Sequence, residues 1–105
     1  MDVPQIDVDE LVRLRETGAV LVDVREADEY ESFHVPGARL IPLADVPERI
    51  EEIPDDARVY VICATGARSA RAVDFLNRQG YDTLNVAGGI KAWLEAGHPI
   101  EHGSD

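Results

Sequence analysis

The chain has 105 residues, 45% of them hydrophobic, which is enough for one domain with its own core and argues against disorder throughout. Its 21 acidic residues against 10 basic ones leave a net charge of −11, a field that repels polyanions and so argues against a nucleic-acid or anionic-membrane partner. The single cysteine excludes an internal disulfide, a cysteine-cluster metal site and a resolving thiol within the chain.

Taken in order, residues 7–16 read as a short helix, with Asp7 as cap, Glu10 three residues on, and Val8, Leu11, Val12 and Leu14 on the apolar side. Residues 19–24, Ala-Val-Leu-Val-Asp-Val, are an apolar run broken by one acid, the pattern of a strand buried on both faces. A second helix is expected over 26–32, then a turn at His34-Val35-Pro36-Gly37-Ala38 and a short strand at 39–42. Residues 44–53 are expected to be helical, with Pro47 confined to the first turn. Strand 58–62 follows a Pro54-Asp55-Asp56 turn; helix 68–79 closes at Gly80. Strand 83–86 and a helix from Gly88-Gly89 to about Glu95 complete the series, stopped by Gly97 and Pro99. The whole chain, 1–105, is expected to be one domain with its core over about 4–100 and a frayed polar tail at 101–105. Strands alternating with helices imply βα units and a mainly parallel sheet, whose ligand sites lie at the carboxyl ends of strands. Cys63 sits at one such end and Asp23-Val24-Arg25 at another.

The segment Cys63-Ala64-Thr65-Gly66-Ala67-Arg68 is the most informative stretch of the chain. It joins the apolar run Arg58-Val59-Tyr60-Val61-Ile62 to a helix N-terminus, where successive N–H groups and the helix dipole favour negative charge on the sulfur. Gly66 lets this loop reach positive φ, and Arg68 adds a permanent cation with a rigid fork of donors. In isolation a lone cysteine is more often an inert buried hydrophobe; its strand-loop-helix setting reverses that reading. Arg71 reads as part of a solvated helix face, Trp93 as a packing anchor, and His34 as a turn residue without a catalytic role. His98 and His102 lack partner ligands for a metal.

Four blocks, in order and at matching spacing, resemble the rhodanese-like (sulfurtransferase) domain family: Leu21-Val22-Asp23-Val24-Arg25-Glu26, His34-Val35-Pro36-Gly37-Ala38, Val61 to Ser69, and Val86 to Trp93. The resemblance implies a three-layer α/β fold with a central, mainly parallel sheet of about five strands flanked by helices. It implies that Cys63 carries a sulfane sulfur as a persulfide, and that Ala64, Thr65, Gly66, Ala67 and Arg68 form the anion-cradling loop. It further implies that Asp23 and Arg25 are structural or border the site, and that Gly88-Gly89 and Trp93 are architecture. Phe33 stands where many relatives have glycine. Ala64 and Thr65 replace the extra basic loop residues of the dedicated thiosulfate:cyanide enzymes, which weakens thiosulfate as the donor.

The activity implied is transfer of a sulfane sulfur from thiosulfate or another persulfide-type donor to a thiol or cyanide, with no metal and no organic cofactor. A cysteine phosphatase or arsenate reductase is the enzymatic alternative; those enzymes place five residues between cysteine and arginine, whereas four stand here. A non-catalytic binding or regulatory module is the alternative of another class. No apolar run approaches membrane-spanning length and no leader pattern opens the chain, so the expected location is the cytoplasm, where a lone thiol stays reduced. The acidic surface further suggests a basic protein partner docking near the loop.

Overall fold

The computed structural model describes residues 2–103. Five strands, β1 (Gln5–Ile6), β2 (Val20–Asp23), β3 (Arg39–Leu40), β4 (Val59–Ile62) and β5 (Thr83–Val86), form one sheet in the order β1-β5-β4-β2-β3, with every neighbouring pair parallel. The helices are α1 (Val8–Arg15), α2 (Ala27–Ser32), α3 (Ala67–Arg78) and α4 (Gly89–Glu95). The mixed α/β architecture with a five-stranded parallel sheet is the one expected.

Side chains on a strand alternate between faces, and here both faces are covered. Leu21, Tyr60, Ile62 and Val86 point into one core, which they share with Leu11 of α1 and Ile90 and Trp93 of α4. Val22, Val59, Val61 and Cys63 point into the other, against Ala72, Val73 and Leu76 of α3. Every residue of β4 is buried, and each such aliphatic side chain contributes roughly 1.5–3 kcal/mol. The alternation carries past the end of β4, so the sulfur of Cys63 lies on the α3 face. Asp7 caps α1 as expected, accepting from the Glu10 N–H at 2.8 Å.

Two expectations are corrected and one strand is added. Residues 44–53 are not an α-helix but two single 3-10 turns, Leu43–Asp45 and Ile50–Glu52. Pro47 has no N–H to give, and the segment closes instead through i→i−3 bonds such as Asp45 N–H to Pro42 O and Glu52 N–H to Arg49 O. β1 had no counterpart in the strands read along the chain. Its two residues are too few for a periodic signal, and it exists by pairing with Asn85 and Val86 of β5. The tail is docked as far as it is described. His34 and Glu101 exchange backbone hydrogen bonds of 2.8 Å in an antiparallel bridge, and Gly103 N–H donates to Glu31 O at 2.8 Å; residues 104 and 105 lie outside the described residues.

Candidate active site

The carboxyl end of β4 delivers Cys63 to a tight loop that runs directly into α3. Gly66 is the N-cap of α3 with φ +107°, a left-handed conformation that favours glycine. That bend turns the Gly66 N–H back onto the sulfur, 3.1 Å from Sγ. The Ser69 hydroxyl lies 3.2 Å from Sγ. Burial pushes the Cys63 thiol up. Hydrogen bonds from the Ser69 hydroxyl and from the N–H groups of Ser69, Gly66 and Thr65 outweigh it, and the thiol ends below its usual range. Cys63 is only 1% exposed, so its sulfur is held in a dry cradle of donors.

The loop is fixed from behind by α4. Ile90 N–H donates to Cys63 O at 2.9 Å and Lys91 N–H to Ala64 O at 3.1 Å. Gly89 makes this approach possible: with φ +60°, any Cβ there would clash with Cys63 O and come within 2.6 Å of the Ala64 carbonyl. Gly89 is thus the floor of the cysteine loop, a more specific part than the general architecture expected of the Gly88-Gly89 pair.

Arg68, expected to lend its guanidinium to the loop, is turned elsewhere. Nη1 and Nη2 donate to Glu29 Oε1 and Oε2 of α2 at 2.7 and 3.0 Å, a bidentate pair. The Arg68 hydrogen bonds draw the Glu29 carboxyl down to about 2, against the opposing effect of burial. Arg68 feels the Cys63 charge through space, but its donors serve Glu29.

Asp23 and Arg25 form a buried pair at the end of β2, with Arg25 Nη2 to Asp23 Oδ2 at 2.9 Å and Nε 3.1 Å from both carboxylate oxygens. Arg25 Nη2 also donates to Phe33 O at 2.8 Å and so ties the sheet to the end of α2. Phe33 fits without strain: its backbone is extended, and its ring lies under the Arg25 guanidinium. His34 is fully buried, with Nδ1 donating to Tyr30 O at 2.8 Å and its ring stacked on Tyr30.

Two depressions flank this loop and share Thr65. One, of about 320 Å³, is lined by Gln5, Thr65, Gly66, Asn85 and Gly88 among others. The other, of about 400 Å³, is lined by Ala64, Thr65, Arg25, Glu29, Phe33 and Lys91 among others. Among the described residues no group of His, Cys, Asp and Glu is arranged to hold a metal ion. No helix there is long and apolar enough to cross a membrane.

Ser69, Asn85 and Glu29 are the parts that sequence reasoning missed. Ser69 is adjacent to the loop and could have been found as the first hydroxyl on the new helix. Glu29 and Asn85 carry no local signal, being brought in from 39 and 16 residues away in sequence.

The fold and site define a parallel α/β domain that presents a donor-cradled cysteine at a strand end. The chain belongs to the rhodanese-like domain family, whose model matches residues 7–96. It is 43% identical over 101 residues to a sulfurtransferase of Allochromatium vinosum, covering 93% of this chain and 94% of that one. It is 39% identical over 74 residues to the putative sulfur carrier protein YrkF of Bacillus subtilis, covering 70% of this chain but 40% of that protein. A rhodanese-related protein from Thermoplasma volcanium superposes with a TM-score of 0.88 at 33% identity, over 93% of this chain and 97% of that one.

Proposed function

We propose that this protein is a sulfurtransferase in which Cys63 carries a sulfane sulfur as a persulfide. The observation that carries the reading is the set of donors converging on Sγ, from Gly66 N–H and the Ser69 hydroxyl at 3.1 and 3.2 Å, in a buried loop. The sulfurtransferase of Allochromatium vinosum, which matches this chain nearly end to end, supports it.

The Cys63 thiolate attacks the outer sulfur of the donor. A new S–S bond forms as the donor's own bond to that sulfur breaks, and the donor fragment leaves with the electron pair, as sulfite from thiosulfate or as a thiolate from a persulfide. The persulfide anion is held by the N–H groups of residues 64–68 and the Ser69 hydroxyl, as an oxyanion would be. An acceptor thiolate, or cyanide, then attacks the outer sulfur and Cys63 leaves as thiolate again. This double displacement is ping-pong. It needs no general base, because the donors that pull the Cys63 thiol below its usual range favour the thiolate.

Two details of the site bear on its substrates. Arg68 is paired with Glu29 and Arg25 with Asp23, so the loop itself offers a dianion such as thiosulfate no free cation, Lys91 at the adjoining depression is a single charge, and a donor with a monoanionic thiolate leaving group suits the site better. Loop length disfavours phosphatase or arsenate chemistry: four residues stand between Cys63 and Arg68 where those enzymes have five, a cradle better sized for one sulfur than for a tetrahedral oxyanion. Asp23 and Arg25 act by holding the end of β2 against α2, not by touching the sulfur.

The test is the intact-protein mass after incubation with thiosulfate and, separately, with a low-molecular-weight persulfide, before and after cyanide. A gain of one sulfur atom that cyanide removes, absent in Cys63→Ser, is expected. No adduct from either donor on a folded protein would leave the non-catalytic binding module as the better reading.

A further inference from the structure

Ser69 has one hydroxyl proton and two acceptors in reach: Cys63 Sγ at 3.2 Å and Asn85 Oδ1 at 2.5 Å. It can serve only one of them at a time. Asn85 is buried on β5 at 4% exposure, and its other amide atom, Nδ2, lies 3.3 Å from Oε1 of Gln5. Gln5 and Asn85 are partners across the β1–β5 ladder, so the two amides share one face of the sheet. Ser69 is fully buried and Gln5 is exposed. The sulfur is therefore the inner end of a polar chain, Cys63–Ser69–Asn85–Gln5, whose outer end is in solvent.

This chain supports two proton orders on the same heavy-atom positions, because each amide exchanges its N and O ends by a half-turn. In one, Asn85 Nδ2 donates to Gln5, Asn85 Oδ1 accepts from Ser69, and the sulfur receives nothing from the hydroxyl. In the other, Gln5 Nε2 donates to Asn85 Oδ1, Asn85 Nδ2 donates to Ser69 Oγ, and the Ser69 proton falls on Sγ. We propose that the second order holds whenever Cys63 bears anionic sulfur, which makes Asn85 and Gln5 positioning residues for the thiolate, acting through Ser69. A hydrogen bond to an ion is roughly twice as strong as a neutral one, so charge on the sulfur selects this order. Water at the exposed Gln5 amide satisfies whichever groups the reversal leaves over.

Gln5→Glu tests the chain at its solvent end. A carboxylate only accepts, so it holds Asn85 Nδ2 outward and Oδ1 toward Ser69, and so draws the hydroxyl proton off the sulfur. The readout is the pH midpoint of Cys63 alkylation by iodoacetamide, with no sulfur donor present, so the result does not depend on whether a persulfide forms. Gln5→Glu should raise the midpoint by about one to two units, the worth of one hydrogen bond to a charged group, and Ser69→Ala should do the same. Gln5→Glu added to Ser69→Ala should move it no further. An unmoved midpoint in Gln5→Glu would overturn the proposal. So would an upward shift that persists undiminished in the Ser69→Ala background, because that is the direct field of a new charge and needs no relay.

Discussion

At the scale of single residues, the least expected arrangement is Glu29 with Arg68. Glu29 opens α2, where its Oε1 also accepts from the Glu26 N–H at 2.9 Å and so closes the first turn of that helix. The carboxylate thus joins the start of α2 to the start of α3, and only its ionised form does so. Its carboxyl is drawn from 4.5 down to about 2 in the folded protein. A depressed folded value contributes stability that is fully present above the unfolded value and is lost as pH falls through the folded one. The stability gap between the wild type and Glu29→Gln should therefore be constant above about pH 5 and close between roughly pH 4.5 and 2. Urea midpoints of both proteins over that range measure it. A gap unchanged at the acid end would show that the pair does not stabilise the fold. Both side chains are about one-third exposed, so screening by solvent and salt keeps the effect modest.

At the scale of elements, the cysteine loop depends on two helix starts. The start of α3 supplies the donors to sulfur, and the start of α4 holds the loop's own carbonyls. Gly89→Ala puts a methyl group into the Cys63 and Ala64 carbonyls at a φ of +60° that alanine rarely adopts. The backbone strain alone costs about 1–3 kcal/mol, and the loop must move off α4, which misaligns the Gly66 and Ser69 donors. Lower stability together with slower alkylation at neutral pH is the expected result. A variant destabilised but alkylated at the wild-type rate would mean that α4 supports the fold without setting the loop. Much of this framework could be read from the chain itself. β4 is a continuous apolar run and β2 one broken only by Asp23, both bounded by turns, and the Cys63-to-Arg68 spacing marks a strand-loop-helix junction. What could not be read depends on tertiary partners. Two residues of β1 show no periodicity. The 3-10 turns on either side of Pro47 follow from hydrogen bonds that an amphipathic pattern does not reveal. The roles of Glu29, Asn85 and Gly89 exist only once α2, β5 and α4 are packed beside the loop.

At the scale of the whole molecule, the net charge of −11 acts on every approaching substrate. With Arg68 tied to Glu29, the loop itself sets no free cation against that field for a dianion, and Lys91 beside it is a single charge against a net −11. Thiosulfate must then reach Cys63 against like-charge repulsion, and salt weakens that repulsion, the screening length being about 10 Å at 0.1 M. The kcat/KM for thiosulfate should rise as ionic strength increases from about 0.02 to about 0.3 M, while that for an uncharged sulfane donor stays flat. A basic protein acceptor, steered by the same field, should show the opposite slope, its transfer rate falling with salt. Stopped-flow rates across a salt series separate the three. If thiosulfate and the uncharged donor responded alike, the global charge would not govern entry. Glu29→Gln would then become the decisive variant, because it frees the Arg68 guanidinium beside the loop and should favour thiosulfate selectively if the Arg68–Glu29 pair is what excludes it.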